Sequence, residues 1–163
     1  MPQDAALFAM RFALGLVFVA HGTRHYRNRV KTIAWTRSIG FRSPRTQWFL
    51  MTFAEIGIGM ALGAGLLTPV AAAGAVAMMT VAFWTVHRRA GFFITARPDE
   101  GWEYVFVVAV AAIAVAGLGP GAWSLDDLSG WSGALSGGTG AAIAGTGVLA
   151  GVLQLLVFFR RAR

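Results

Sequence analysis

The sequence predicts an all-α fold: a transmembrane helical bundle of five spans in one domain, residues 1–163, with the N-terminus out and the C-terminus in. Three observations predict it. The chain is 56% hydrophobic and only 13% charged, against about 25% charged in soluble domains. Its apolar residues gather into five runs close to the roughly 20 residues a helix needs to cross a bilayer. Of its 14 Lys and Arg residues, 13 fall in three clusters, at 24–45, 88–97 and 160–163, each following an apolar run. Basic residues collect on the cytoplasmic side of membrane proteins, so these clusters orient every span.

In order, the spans are residues 5–22, 48–67, 69–87, 102–118 and 138–159. Alternating them puts loops 23–47 and 88–101 and the C-terminal tail inside, with all the clustered positives. The outer loop 119–137 carries Asp126 and Asp127 and no basic residue. The segment before Leu7 has Asp4 and no basic side chain, so the first run reads as an uncleaved helix rather than a signal peptide. Loop 23–47 has room for a short interfacial helix, with Trp35, Ile39 and Phe41 dipping into lipid. Thr68-Pro69 is a helix start, with Thr as cap and Pro in the first turn. The turn is so short that spans two and three must form an antiparallel hairpin. Trp48, Trp84, Trp102 and Trp123 sit near the expected interfaces as aromatic anchors. Gly59 with Gly63, and Gly147 with Gly151, mark faces where helix backbones can approach closely.

The net charge of +7 points to the bilayer surface rather than to nucleic acid, because the basic residues flank apolar runs and no soluble core remains to present them. There is no Cys. Disulfide exchange, thiolate catalysis and Cys-ligated metals are thereby excluded for this chain alone.

Charged and ionisable side chains inside a membrane are costly and usually face a partner or a cavity. Arg11 lies mid-span in the first helix, ~16 Å from its inner end, and Glu55 lies on the order of 10 Å inside the second. The two are expected to meet. Their ion pair either only locks the helices together or sets the charge state of Glu55. His21, His87 and Glu103 lie near inner helix ends, where they can serve as metal ligands or proton carriers or simply as polar interfacial residues. His21 and His25 are four apart, the spacing of a helical metal pair, but His25 falls beyond the expected membrane edge. Thr80, Phe83, Trp84 and His87 share a helical face. With Phe106 they form either a pocket suited to a quinone ring or a packing surface.

In order and spacing, these residues resemble the DoxX family of membrane proteins. The matching elements are Arg11 with Gly15, His21-Gly22 with Arg24, Glu55 followed by Gly63 and Leu67-Thr68, and Met78–Ala82. To these are added Gly91-Phe92-Phe93, Glu103-Tyr104, and Gly119-Pro120-Gly121 leading to Ser124-Leu125-Asp126. The resemblance covers roughly residues 7 to 127 and implies a four-helix core, to which this chain adds a fifth C-terminal span. It also implies association with membrane oxidoreductase systems. One branch of the family resembles a subunit of thiosulfate:quinone oxidoreductase, and another belongs with superoxide dismutase and a sulfurtransferase in stress resistance.

The first expectation is therefore a component of a quinone-linked oxidoreductase or oxidative-stress system in a bacterial inner (plasma) membrane. In it Glu55 and Glu103 exchange protons, and Arg11 fixes the charge of Glu55. His21, His87 and Trp84 hold the quinone, and His21, His87 and Glu103 are the candidate metal ligands. A soluble redox partner docks on the basic cytoplasmic face, and the chain is compatible with a homo-oligomer. The alternatives are a non-catalytic scaffold or assembly factor, in which the polar residues only hold the bundle, and a small-molecule or lipid carrier.

Overall fold

The computed structural model describes residues 2–96 and 100–160. The helices are α1 (Pro2–Arg27), α2 (Arg29–Ser38), α3 (Pro44–Ala64), α4 (Thr68–Thr85), α5 (Glu103–Leu118), the single turn α6 (Leu125–Leu128) and α7 (Gly137–Phe158), with a 3-10 turn at His87–Arg89. Arg97 and the tail residues Arg161 and Arg163, which belong to the basic clusters, lie outside the described residues. α1, α3, α4 and α7 are long and apolar enough to cross a membrane, and α5 is a shorter apolar helix of 16 residues, ~24 Å long. The all-helical, multi-pass membrane architecture expected from the sequence is therefore present.

The arrangement of side chains suits lipid. Large apolar residues point outward, with Leu149 65% and Leu156 71% exposed, while Ala72, Ala75, Ala112, Ala116 and Ala144 are fully buried. In a bilayer, burying a leucine between helices gains little, because lipid tails are equally apolar. Association then rests on close backbone packing, which small residues allow. α1 packs along α3, α7 packs along α4, and α5 lies beside both α4 and α7. The fifth span is thus an integral wall of the bundle.

The paired glycines of α7 do as their spacing suggests. A Cβ on Gly151 would stand 2.8 Å from the Ala77 carbonyl oxygen, and one on Gly147 would collide with the carbonyl of Ala73. On α3 the two glycines differ. A Cβ on Gly59 would stand 2.5 Å from the Gly15 carbonyl oxygen, whereas one on Gly63 would meet nothing within 4 Å.

The α3–α4 hairpin is closed by long-range polar contacts. α3 ends in a Schellman motif: Gly65 adopts φ +64, Leu66 N–H donates to Ala61 O at 2.9 Å and Gly65 N–H to Leu62 O at 3.1 Å. A glycine is required at this position, because φ is positive. In addition, a Cβ there would stand 2.5 Å from the Ser124 Cβ and run into the Arg11 guanidinium. Thr68 does not cap α4 with its side chain, whose hydroxyl has no hydrogen-bond partner. The cap comes instead from the loop after α5. Asp126 accepts from Leu67 N–H through Oδ1 at 2.6 Å and from Thr68 N–H through Oδ2 at 2.8 Å. Its own N–H donates to Gly65 O at 2.9 Å. A carboxylate satisfies two of the free donors at a helix start and suits the positive end of its dipole.

Two interfacial expectations change. Loop 23–47 does hold a short helix, α2, but Phe41 is buried against Phe159 at the end of α7, with ring centroids 5.5 Å apart. Trp48 is likewise buried rather than lipid-facing. Its indole N–H donates to His25 O at 3.0 Å, so the polar end of the ring is satisfied inside the protein.

The packing of α1 on α3 yields a sharp contrast between neighbouring glycines. Gly59→Ala forces the two backbones apart and should cost about 1–3 kcal/mol, measured as a lower detergent melting temperature. Gly63→Ala should be neutral or stabilising, because it adds a methyl in open space and restricts the unfolded chain. Equal losses from both would contradict this packing.

Candidate functional site

The first expected span closes at Gly22, but α1 continues to Arg27. Nothing in His21–Arg27 breaks a helix: there is no Pro, and Gly22 is held against α3, where a Cβ would stand 2.9 Å from Thr52 O. A membrane edge ends hydropathy without ending hydrogen bonding. His25 therefore sits one turn beyond His21 on the same face, and the close approach of α1 to α3 brings both beside Glu55. His25 Nε2 lies 3.7 Å from Glu55 Oε2. Ligand-capable atoms of His21, His25 and Glu55 all lie within 4.8 Å of one another.

Glu55 is only 7% exposed, yet its Oε2 has no hydrogen-bond partner. Burying a carboxylate is costly unless it is paired and bonded, and a contact of 3.7 Å is too long to be a hydrogen bond. α2 covers the cluster from the side. Trp35 stacks on the His25 imidazole, with centroids 6.4 Å apart and planes at 11°. Arg29 lies 4.7 Å over the Trp48 ring that bonds the His25 carbonyl.

These three side chains form part of the wall of a cavity of about 590 Å³ at the basic end of the bundle, within the range typical of small-molecule sites. Gln47, His87 and Tyr104 are among its other polar lining residues, Phe18, Met78, Met79 and Ala82 supply apolar surface, and Arg24 and Lys31 add positive charge. Gln47 accepts from Gln154 Nε2 at 2.9 Å but leaves its own buried Nε2 unpartnered. His87 Nδ1 lies 2.7 Å from Glu100 O. A carbonyl can only accept, so Nδ1 carries the hydrogen, and Nε2 is left to face another partner.

The expected residues separate into two groups. His21, His87 and Glu55 line the cavity. Arg11, Glu103 and Trp84 do not. Arg11 does not reach Glu55. It is 0% exposed, and its guanidinium donates to Leu62 O at 3.2 Å, Gly63 O at 3.4 Å and Trp123 O at 2.6 Å. The last carbonyls of α3 have lone pairs to spare at the depth of Arg11, whereas Glu55 lies two turns earlier on the helix. Glu103 Oε2 accepts from Ile94 N–H at 3.2 Å and so ties the preceding loop to the start of α5. Trp84 is 45% exposed and lies under the Arg88 guanidinium at 4.0 Å.

The stripe of Thr80, Phe83 and Trp84 faces away from the cavity. Thr80 packs against Gly151, Phe83 against Trp102 at 5.9 Å, and Phe106 is exposed. The cavity uses the adjacent face of α4, with Met78, Ala82 and Thr85. Among the described residues, the metal-capable group is accordingly His21, His25 and Glu55 rather than His21, His87 and Glu103. The i, i+4 spacing was the available signal for His25. Gln47 carried no signal in the sequence, and Tyr104 only that of the Glu103-Tyr104 pair.

Compared with known protein families, residues 6–88 match the model of the DoxX family. The match runs through α1, α2, α3 and α4 into the 3-10 turn, just over half of the chain, and the chain belongs to the DoxX family. It takes in Arg11, His21, His25, Glu55 and His87 but not α5 or α7. Neither the curated proteins nor the solved structures contain a significant match.

A buried carboxylate whose Oε2 accepts no hydrogen bond should be dispensable for stability. Glu55→Met, which keeps the volume and removes the buried charge, should leave the melting temperature unchanged or raise stability by about 1–2 kcal/mol. A fall as large as that of Leu62→Ala, a core truncation of about 2–5 kcal/mol, would make Glu55 a structural residue instead.

Proposed function

We propose that this DoxX-family protein is the quinone-binding membrane component of an oxidoreductase system in a bacterial plasma membrane, its basic end toward the cytoplasm as the charge distribution asks. The observation that carries this reading is the cavity itself, apolar along α4 and bounded at one end by two imidazoles and a buried carboxylate whose Oε2 accepts no hydrogen bond. A quinone headgroup is a flat apolar ring with polar oxygens at opposite ends, and a site for it needs that division. When bound it supplies two-electron, two-proton redox chemistry, which side chains lack.

In this reading Phe18, Met78, Met79 and Ala82 hold the ring; soft thioethers adapt well to flat aromatic ligands. The Tyr104 hydroxyl donates to a ring oxygen, and the lone pair on His87 Nε2 accepts from a ring hydroxyl. Glu55, with His21 and His25, forms the charged end, where a proton or a cation must balance the carboxylate. Glu103, first expected to move protons, pins a loop instead. Arg11 acts on the bundle and not on the ligand, which is the part of the scaffold alternative that the geometry favours. Without Cys the chain has no thiol relay, so electrons come from a soluble partner, for which the basic face offers a docking surface.

The test is a titration of detergent-purified protein with a short-chain ubiquinone analogue. Saturable binding is expected. Ala82→Phe, which fills the apolar part of the cavity, should weaken it at least tenfold, and Glu103→Gln should leave it unchanged. Absence of saturable binding to folded protein, or an Ala82→Phe variant that binds as well as the parent, would overturn the reading. A carrier would bind the same analogue without supporting its reduction by a partner fraction.

A further inference from the structure

We propose that His21, His25 and Glu55 bind a first-row divalent transition-metal ion at the polar end of the cavity. The inference rests on these three side chains and not on the identity of the organic ligand. Neutral imidazole and carboxylate together suit zinc, iron and manganese, and a two-imidazole, one-carboxylate set with open positions is a recurrent arrangement for such ions.

Four observations support the site. The two imidazoles come from consecutive turns of α1, which is rigid at this point because Gly22 packs on Thr52. The third donor comes from a different helix, so the ion would join α1 to α3. A tetrahedral ion with bonds of ~2.1 Å holds its donor atoms about 3.4 Å apart. His25 Nε2 and Glu55 Oε2 are 3.7 Å apart, and the whole group lies within 4.8 Å, so small side-chain rotations close it. Finally, Glu55 Oε2 is buried without any hydrogen-bond partner, an arrangement that a bound cation would explain. A carboxylate kept only for an ion pair with His25 would be expected at hydrogen-bonding distance.

The surroundings are also suitable. Trp35 stacks on the His25 ring and restricts its rotation, as the groups behind metal ligands commonly do. His21 is exposed on the cavity side, so the remaining coordination positions would face the cavity. Arg24 and Lys31 line the same space. Their charge disfavours an ion held by neutral ligands alone, which makes the carboxylate indispensable, and it favours an anionic or oxygen-donor molecule on the open positions.

The experiment uses full-length protein purified without a histidine tag and freed of metal by a chelator. It is titrated with Zn²⁺ by calorimetry and with Co²⁺ by visible absorption. One ion per chain is expected, with micromolar or tighter affinity and with Co²⁺ bands of low-coordinate geometry. His25→Gln and Glu55→Gln should each weaken Zn²⁺ binding at least tenfold and reduce the Co²⁺ bands, and His21→Gln should do likewise, while Glu103→Gln should do neither. Folding of every variant is verified by its melting curve, and any variant that fails to fold is replaced by His25→Asn or Glu55→Met. No saturable binding, or binding that survives His25→Gln and Glu55→Gln, would overturn the proposal. Because the quinone titration can be run on the same metal-free protein, failure of one reading is distinguishable from failure of the other.

Discussion

Everything else in this bundle depends on how a single buried cation is satisfied. Arg11 has no exposed surface, and both terminal nitrogens of its guanidinium are bonded to backbone carbonyls at the end of α3 and in the loop after α5. The forked shape of arginine lets one side chain reach two chain segments at once. The same loop returns a carboxylate, Asp126, to the first N–H groups of α4. Positive charge thus stands at the carbonyl end of one helix and negative charge at the amide end of the next, each matching the local dipole. In a membrane, where water cannot satisfy these groups, such contacts decide where a helix hairpin can turn.

That knot fixes α1 against α3 at one end of the bundle, and the glycine contacts at Gly15, Gly59 and Gly22 carry the close approach to the other end. The candidate site is a consequence. His21 and His25 meet Glu55 because the α1 and α3 backbones lie nearly in contact along this face. Buried Arg11 and buried Glu55 therefore do different things. Arg11 bonds both terminal nitrogens to backbone carbonyls and leaves only Nε without a hydrogen bond, whereas Glu55 Oε2 accepts no hydrogen bond and faces His25 Nε2 at 3.7 Å. A protein can keep a costly, unsatisfied group of that kind when the group acts on a ligand.

Much of the fold was legible in the sequence because it follows from hydropathy and charge. Five runs, three basic clusters and the Thr68-Pro69 turn are enough for the helices and their hairpin, and the glycines at 147 and 151 marked a true contact. The polar network was less legible. Depth alone pairs Arg11 with Glu55, whereas its partners are backbone carbonyls, which every residue carries and no sequence pattern advertises. Caps are usually local, so the sequence points to Thr68 for α4, but Asp126 acts from 58 residues away. Hydropathy puts His25 outside the span because the hydrophobic run ends at Gly22, although the helix runs on to Arg27. Trp84 and Glu103 occupy plausible positions along their helices but the wrong side of them. Which face of an almost uniformly apolar helix such as α4 or α5 turns inward is decided by neighbours, not by its own periodicity.

The measurement that tests this account most directly is a double-mutant cycle between Arg11 and Asp126. Arg11→Met, Asp126→Asn and the double variant would be compared with the parent by reversible unfolding in mixed micelles. If the two residues act as one unit through the loop they share, each single change is strongly destabilising. The double variant then loses little more than the worse single, a coupling of about 1–3 kcal/mol. Additive losses, or a stable Arg11→Met protein, would mean that the knot does not organise the bundle.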